Sequence, residues 1–252
     1  MSDAPSSRFL TENGPRVFAH RGFALDSPEN TLLAFLAALS AGATHLETDV
    51  HASLDGVAVI SHDATLSRLG REVRIDQLTR TELSRIDLGS GQSIPTLTDA
   101  LDAFPDALFN IDIKVDAAVE PTISAILQAR ATPRVLVTSF SEQRRRRACR
   151  GLPGAATSAS SAIVAKAVAA AAFPPVLRRV LTGIDALQIP ERAGALHVVT
   201  PRFVRRVHAA GTEVHVWTVN DVDSMQRLLD MGVDGLVTDR TDRAVELISR
   251  RT

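Results

Sequence analysis

This 252-residue sequence has little cysteine and lysine and no tyrosine, and each shortage narrows the fold or the chemistry that the chain can have. Cys149 is its one cysteine, so a small scaffold held together by disulfide bonds is ruled out. Tyrosine is absent, which removes one side chain that can serve as a general acid or base. Of the 28 basic residues only Lys114 and Lys166 are lysines, so a lysine inside an apolar strand needs a functional reason.

The sequence also lacks a strong charge of either sign and a long apolar run. Its formal net charge is −1 and its pI about 6.7, so no basic field attracts nucleic acid, and we expect no nucleic-acid partner. The longest apolar tract, residues 162–177, is interrupted by Lys166 and by two prolines. It falls short of the roughly 20 residues that span a bilayer, so we expect no stable membrane insertion.

The first 15 residues are polar and contain no apolar core of a signal peptide. We expect residues 1–15 to form a flexible N-terminal tail and the protein to be cytoplasmic, which a single unpaired cysteine also fits. Residues 16–252 are predicted to form one domain. Their composition, 45% hydrophobic and 23% charged over the whole chain, can bury one large core.

Short β-rich runs alternate with amphipathic helical stretches from residue 17 onward. Eight such units in a chain of this length predict an α/β fold, a closed (β/α)8 TIM barrel. A doubly wound open sheet is the competing fold, but no Gly-x-Gly-x-x-Gly turn follows the first strand. The predicted strands are residues 17–19, 45–50, 108–115, 135–138, 157–159, 186–189, 213–219 and 235–238.

One segment breaks this alternation. Asp55 and Gly56 lie between apolar runs and predict a hairpin turn that leads into residues 57–60. Residues 64–95 are then polar and poorly periodic, which predicts a small insertion after the second strand. Such an insertion would sit over the catalytic rim of a barrel, although a plain surface excursion accounts for the pattern equally well.

Polar residues gather where the predicted strands end, which is where (β/α)8 barrels carry their chemistry. His20 and Arg21 follow the first strand directly, and His62 follows the hairpin. Glu47 and Asp49 stand two apart on the second strand and therefore share a face. Taken singly, a histidine at a strand end is more often structural, and paired acids on a strand can simply face solvent. The functional interpretation depends on their convergence.

The third predicted strand adds Asn110, Asp112 and Lys114 on one face. Three carboxylates directed into one barrel, those of Glu47, Asp49 and Asp112, repel one another unless a positive charge lies between them. Oxygen donors suit a hard cation such as Mg²⁺ or Ca²⁺ better than zinc. The pattern therefore indicates a divalent cation.

Two histidines can supply a proton donor and a proton acceptor near neutral pH. Arg21 and Lys114 offer charge-assisted hydrogen bonds to an anion, most simply a phosphate. A divalent ion, two imidazoles and two cationic side chains are what cleavage of a phosphoryl ester requires.

At these positions the chain resembles the glycerophosphodiester phosphodiesterases. The resemblance runs in order and with family-like spacing from about residue 17 to residue 239. It rests on these motifs: His20-Arg21-Gly22, Pro28-Glu29-Asn30-Thr31, Glu47-Thr48-Asp49, His62-Asp63-Ala64-Thr65-Leu66-Ser67-Arg68, Ile94-Pro95-Thr96-Leu97, Asn110-Ile111-Asp112-Ile113-Lys114, Ser139-Phe140, Val216-Trp217-Thr218-Val219-Asn220 and Gly232-Val233-Asp234-Gly235-Leu236-Val237-Thr238-Asp239.

The resemblance implies a role for each candidate residue. His20 and His62 would be the acid–base pair, and Glu47, Asp49 and Asp112 would hold the metal ion. The remaining implied roles are phosphate contacts for Arg21 and Lys114, a border of the glycerol pocket for Trp217, and support of the rim loop for Glu29 and Asn30.

Asp112 departs from the family pattern, which usually has glutamate there. The missing methylene retracts the carboxylate by about 1.5 Å. The ion could shift, Asp112 could bind through a water molecule, or the metal preference could change.

The resulting hypothesis is metal-dependent hydrolysis of a glycerophosphodiester to sn-glycerol 3-phosphate and an alcohol, with Mg²⁺, Ca²⁺ or Mn²⁺ as the ion. We expect His62 to act as acid and His20 as base. The alternatives are a phospholipase-like lyase that releases a cyclic phosphate, or a non-catalytic phosphate-binding barrel. The sequence leaves open the alcohol group of the substrate and the oligomeric state.

Overall fold

Eight parallel strands form a nearly closed barrel in the computed structural model, which describes residues 7–11, 14–194 and 196–251. The strands are β1 (Arg16–His20), β2 (His45–Ala52), β3 (Ala58–Ile60), β4 (Leu108–Ile113), β5 (Val135–Thr138), β6 (Ala156–Thr157), β7 (Ala186–Pro190), β8 (Arg192–Ala193), β9 (Leu196–His197), β10 (Glu213–Trp217) and β11 (Gly235–Thr238). The α-helices are α1 (Leu32–Ser40), α2 (Arg80–Leu83), α3 (Leu97–Ala103), α4 (Val119–Gln128), α5 (Glu142–Gly151), α6 (Ser161–Ala170), α7 (Pro174–Val180), α8 (Pro201–His208), α9 (Val222–Asp230) and α10 (Thr241–Ser249). Within the described ranges, none of these helices is long and apolar enough to cross a membrane.

The barrel strands follow one another in the order β6-β5-β4-β2-β1-β11-β10-β7. A parallel bridge between Ser158 and Ala186 brings the two ends of this order together. Each of the eight predicted strands overlaps one strand of the barrel, and helices alternate with them along the chain. The predicted (β/α)8 fold is therefore confirmed.

Alternation along β2 separates the hydrophobic core from the interior of the barrel. Leu46 and Val50 belong to an apolar cluster that also contains Phe35 of α1. Glu47 and Asp49 take the opposite face, because successive side chains of a strand point to opposite sides. The pattern that builds the core thus also turns two carboxylates inward.

The N-terminal segment differs from the predicted flexible tail. Residues 1–6 and 12–13 of that tail lie outside the described residues, but Arg8–Leu10 form a short 3₁₀-helix. Phe9 is fully buried, and its ring lies 6.1 Å from that of Phe18 and 4.6 Å from that of His45. Phe9 and Leu10 form a two-residue apolar pair among polar residues, which shows no periodicity, so the sequence did not predict this contact.

Residues between β2 and α3 form the hairpin and a compact segment. Gly56, with a φ of 75°, closes the turn by donating its N–H to the carbonyl of Ser53, and β3 pairs antiparallel with β2. The segment that follows contains the predicted insertion and packs a small apolar cluster against Val59 of β3, made of Leu66, Ile75, Leu83, Ile86 and Ile94. It reaches the rim of the barrel through Arg68, as described below.

Candidate active site

A cavity of about 680 Å³ opens at the carboxyl ends of the barrel strands. Eight of the ten residues singled out from the sequence line it: His20, Arg21, Glu47, Asp49, His62, Asp112, Lys114 and Trp217. The other two, Glu29 and Asn30, contact members of this lining from outside. The structure therefore brings the two imidazoles and the three carboxylates together at one cavity, as the sequence predicted.

The register of β2 and β4 brings their polar side chains side by side. Glu47 lies opposite Asn110, and Asp49 lies opposite Asp112. All four are buried inside the barrel. Two parallel strands in this register therefore build a patch of oxygen atoms with little contact with water.

Lys114 supplies the positive charge between two of these carboxylates. Its Nζ lies 2.6 Å from Oδ1 of Asp49 and 2.7 Å from Oδ2 of Asp112. It also lies 5.8 Å from the centre of the Phe140 ring, which packs edge-on against Trp217. The ammonium group is thus held at the boundary between the carboxylates and an aromatic wall.

Burial dominates the electrostatics of the patch. Burial and the neighbouring Asp49 raise the pKa of Glu47 to about 8. Burial also raises the pKa of Asp112 above its usual range, although the Lys114 charge opposes this. Burial alone would lower the pKa of Lys114, but Asp112 and Asp49 outweigh it and raise that pKa. Lys114 thus pairs with Asp49 and Asp112, while burial holds the pKa of Glu47 well above its usual range.

Two buried oxygens in the patch have no hydrogen-bond partner, Oδ1 of Asp112 and Oδ1 of Asn110. Such atoms are uncommon, because an unpaired buried polar group is costly. Among residues 7–11, 14–194 and 196–251, however, no three acidic, imidazole or thiol side chains stand close enough together to hold a metal ion as they are. The donor chemistry suits a hard cation, whereas the present spacing does not enclose one.

The loop after β1 holds Arg21 and Asn30 in left-handed conformations, with φ values of 59° and 57°. The backbone N–H of Arg21 donates to the Glu47 carboxylate at 3.0 Å. Its guanidinium pairs with Glu29 at 3.0 Å and lies 3.4 Å from Asp49. Arg21 is therefore already tied to carboxylates at the site, an arrangement that sequence reasoning had not foreseen.

Asn30 fixes the orientation of Asp49. Its Nδ2 donates to Oδ2 of Asp49 at 3.2 Å, and its Oδ1 accepts a hydrogen bond from the hydroxyl of Thr48 at 2.8 Å. These contacts place Asn30 against β2, and the support of the rim loop that the resemblance implied for it stays a prediction.

His20 is held by a carboxylate that sequence reasoning missed. Nδ1 of His20 lies 2.7 Å from Oδ1 of Asp239, and Asn220 donates to the other Asp239 oxygen at 2.7 Å. Burial alone would lower the pKa of His20, but the Asp239 hydrogen bond and the Glu47 charge outweigh it, so that pKa is raised. The available signal was the position of Asp239 directly after the last strand, where a barrel carries its chemistry.

His62 is also held by a carboxylate at Nδ1. Its Nδ1 lies 2.7 Å from Oδ1 of the adjacent Asp63, whose second oxygen pairs with Nε of Arg68 at 2.7 Å. Arg68 also pairs with Glu29 at 3.2 Å. In both histidines a carboxylate engages Nδ1, so Nε2 is the ring nitrogen left for the cavity.

Replacing Asp239 by asparagine tests whether it positions His20. An amide there can present its NH₂ group to Nδ1, which favours the tautomer with the proton on Nε2 instead of Nδ1. We therefore expect kcat/KM for the diester hydrolysis expected from the sequence to fall at least about tenfold. Loss of the carboxylate also lowers the pKa of His20. With His20 as base, the acid limb of the pH profile of kcat/KM should move to lower pH.

The pH profile separates positioning from general damage to the fold. If His20 were the acid, the alkaline limb would move instead. A profile with both limbs unmoved in Asp239→Asn would contradict the assignment, whatever the loss of rate. Asp234→Asn, at the unrelated His208–Asp234 pair, is the matched control and should leave both limbs in place.

Comparison with known proteins gives consistent matches over most of the chain. A model described as the glycerophosphoryl diester phosphodiesterase family matches residues 20–243. In an alignment 261 positions long, gaps included, the chain is 43% identical to the probable glycerophosphodiester phosphodiesterase 2 of Mycobacterium tuberculosis. The alignment covers 100% of this chain and 98% of that protein. It is 26% identical over 253 residues to a glycerophosphodiester phosphodiesterase of Caldanaerobacter subterraneus, covering 93% and 98%.

Solved structures match the barrel as a whole. A phosphodiesterase of Oleispira antarctica, in complex with the product sn-glycerol-3-phosphate, has a TM-score of 0.76 at 27% identity. The match covers 94% of this chain and 97% of that one. A glycerophosphodiester phosphodiesterase of Thermotoga maritima has a TM-score of 0.75 at 27% identity, covering 94% and 99%.

Proposed function

Because the chain belongs to the glycerophosphoryl diester phosphodiesterase family, we propose that it hydrolyses glycerophosphodiesters to sn-glycerol 3-phosphate and an alcohol, with a divalent cation bound. The observation that carries this proposal is the pair of imidazoles in one cavity, each with Nδ1 on an aspartate, beside three buried carboxylates. That combination provides proton transfer and charge neutralisation at the same place.

The cation proposal rests on the donor set. Glu47, Asp49 and Asp112 offer only oxygen atoms, of which Oδ1 of Asp112 is buried without a partner. Burial, and after it the neighbouring Asp49, raises the pKa of Glu47, and a cation at the site would favour its ionised form. We propose that these three residues hold Mg²⁺, Ca²⁺ or Mn²⁺ after drawing closer than they now stand, with Lys114 withdrawing from between Asp49 and Asp112. When bound, the cation would neutralise charge on the phosphoryl oxygens.

The residues of the chain supply the other steps. His20, with its pKa raised by Asp239, would remove a proton from the attacking water or hydroxyl at Nε2. His62, oriented by Asp63, would protonate the departing alkoxide. Lys114 would contact the phosphate once it leaves the carboxylates, and Arg21 would do so while still paired with Glu29. Trp217 would border the glycerol moiety.

The proposal is tested by assaying glycerophosphodiesters of choline, ethanolamine, glycerol and inositol, with sn-glycerol 3-phosphate as the measured product. We expect turnover that a chelator abolishes and that Mg²⁺, Ca²⁺ or Mn²⁺ restores. Full activity after exhaustive chelation would overturn the cation, and no turnover of any diester with any of the ions would overturn the reaction.

Hydrolysis in ¹⁸O-labelled water separates this reaction from that of a lyase. Label in the product phosphate is expected for hydrolysis. A cyclic phosphate that accumulates without label would instead indicate a lyase.

A further inference from the structure

Helices α7 and α8 carry a basic surface that the active site does not use. The two helices contain no acidic residue and hold five arginines, Arg178, Arg179, Arg202, Arg205 and Arg206. Within residues 7–11, 14–194 and 196–251 none of the five pairs with a carboxylate, whereas the exposed Arg146 of α5 pairs with Glu142. The positive charge of this surface is therefore not balanced locally.

Two large apolar side chains are exposed beside these arginines. Phe173 is 64% exposed and Val176 is 51% exposed, and the two prolines between them are exposed as well. Helix α7 packs on the core through Leu177, so it does not need either side chain for its own packing. Arginines in the last turn of a helix complement its dipole, but that does not account for the apolar pair. Together the two kinds of residue form an amphipathic surface.

Two hydrogen bonds hold the ends of α6, α7 and α8 together. The guanidinium of Arg206 donates to the carbonyl of Ala171, directly after α6. Nη2 of Arg178 donates to the carbonyl of Ala209, directly after α8, at 3.4 Å. These contacts bring the arginines and the apolar pair into one region. We call it the α7–α8 surface and define it by Phe173, Val176, Arg178, Arg179, Arg205 and Arg206.

The α7–α8 surface lies at the end of the barrel opposite the cavity mouth. Ser161, the first residue of α6, lines the cavity, and Ala170, its last residue, lies about 14 Å further along the helix axis. The N–H of Phe173 donates to the carbonyl of Ala170 at 2.8 Å, so the surface begins where α6 ends. None of its six residues lines the cavity. A partner held there would leave the mouth open.

The chemistry of this surface fits a bilayer of anionic phospholipids. Their phosphate groups attract exposed arginines, and the interface beneath them accepts aromatic and aliphatic side chains. A nucleic acid would pair with the arginines but has no hydrocarbon region to receive Phe173 and Val176. The surface is too small for a stable protein–protein interface, which takes about 20–30 residues a side.

We propose that the α7–α8 surface docks the protein on bilayers that contain anionic phospholipids. Phe173 and Val176 enter the head-group region, and the arginines contact the phosphates. This is binding at the bilayer surface, for which no membrane-spanning helix is needed. The cavity mouth faces the aqueous phase in the docked protein. The inference stands on α7 and α8 and does not depend on the reaction proposed above.

Sedimentation with lipid vesicles tests the docking directly. The full chain is mixed, at about 0.1 M salt, with vesicles of phosphatidylcholine alone or of phosphatidylcholine and phosphatidylglycerol. We expect an apparent Kd at least about tenfold lower for the anionic vesicles, because each arginine near a negative surface adds to the attraction. Higher salt should weaken this binding, because it screens the charges.

Two variants separate the charged from the apolar contribution. The double substitution Arg178→Gln/Arg179→Gln should raise the Kd for anionic vesicles at least about tenfold, and Phe173→Ser should raise it about fivefold. All three side chains are exposed, so the fold should tolerate the changes. If a variant does not fold, the comparison of the two vesicle types with the wild type still decides the question.

Each variant has a matched control elsewhere on the molecule. Arg71→Gln/Arg85→Gln removes the same charge from exposed positions between β3 and α3, and Leu127→Ser changes a side chain that is 52% exposed on α4. Both controls should leave the Kd within about twofold of the wild type, because charges beyond a Debye length from the bilayer are screened.

Tryptophan fluorescence tests the orientation. Trp217, the one tryptophan of the sequence, lines the cavity at the other end of the barrel. Vesicles with brominated acyl chains quench a tryptophan that enters the bilayer. We expect the emission of the wild type to stay unchanged on such vesicles, and part of the emission of Phe173→Trp to be quenched.

Three results would overturn the inference. The first is an equal Kd for neutral and anionic vesicles, or equal losses in the variants and their controls. The second is binding to a DNA duplex that is as tight as binding to the vesicles and unaffected by Phe173→Ser, which would indicate a nucleic-acid surface. The third is quenching of Trp217 in the wild type, which would place the cavity mouth against the bilayer.

Discussion

Replacing His20 or His62 by alanine is expected to lower kcat on a glycerophosphodiester by about 10²–10⁴-fold, the usual contribution of general acid–base catalysis. Each imidazole has Nδ1 on an aspartate and lines the same cavity, and in the proposed mechanism the two rings have different tasks. KM should change far less, because neither ring supplies the charge that binds the phosphate. Steady-state kinetics on the purified variants give both numbers.

The matched control for this loss is His208→Ala. His208 also pairs with an aspartate, Asp234, at 2.8 Å, but it lies on α8 outside the cavity. Its loss should leave kcat within about twofold of the wild type, since surface substitutions usually change little. Near wild-type rates in both His20→Ala and His62→Ala would rule out the acid–base mechanism.

Replacing Lys114 by methionine is expected to lower the free energy of unfolding by about 3 kcal/mol when no divalent ion is present. The substitution keeps the length of the side chain and removes the charge between Asp49 and Asp112, which are almost fully buried. Removing one partner from a buried ion group leaves charge without compensation. Urea unfolding at pH 7 in the presence of a chelator measures the loss.

Adding a divalent cation should raise the stability of Lys114→Met by more than it raises the stability of the wild type. The variant keeps the three carboxylates but lacks the ammonium that competes for them, so Mg²⁺ or Ca²⁺ should bind it more tightly and raise its Tm further. Lys166→Met, at the other lysine of the chain and exposed on α6, is the control and should shift stability by less than about 0.5 kcal/mol. A Lys114→Met protein as stable as the wild type under chelation would contradict this account of the patch.

The sequence predicts the barrel because the alternation of apolar and polar residues that marks each strand is contained within a few neighbouring residues. The alternation in β2, with Leu46 and Val50 on one face and Glu47 and Asp49 on the other, is readable within six residues. Eight such strands with helices between them suffice for the fold class, and the motifs suffice for the family. The comparisons confirm both.

The choice of partner for each side chain was not predictable in this way. His20 and Asp239 are 219 positions apart, and only closure of the barrel, through the pairing of β1 with β11, brings them together. Arg21 was expected at the phosphate but is paired with Glu29 and Asp49, and Lys114 with two carboxylates. Such pairings depend on which charged side chains are buried next to one another in the folded chain. The order of residues along the sequence does not give that information.

The junction of β6 and β7 has a consequence for how the barrel opens. β6 has two residues, and it is joined to β7 by the N–H of Ala159 donating to Ala186 and the N–H of Asp185 donating to Thr157. In the circular order this junction lies across the barrel from β2, so local opening there would be remote from Glu47 and Asp49. Because α6 begins just after β6 and contributes to the cavity lining, such opening would widen the cavity on that side of the barrel.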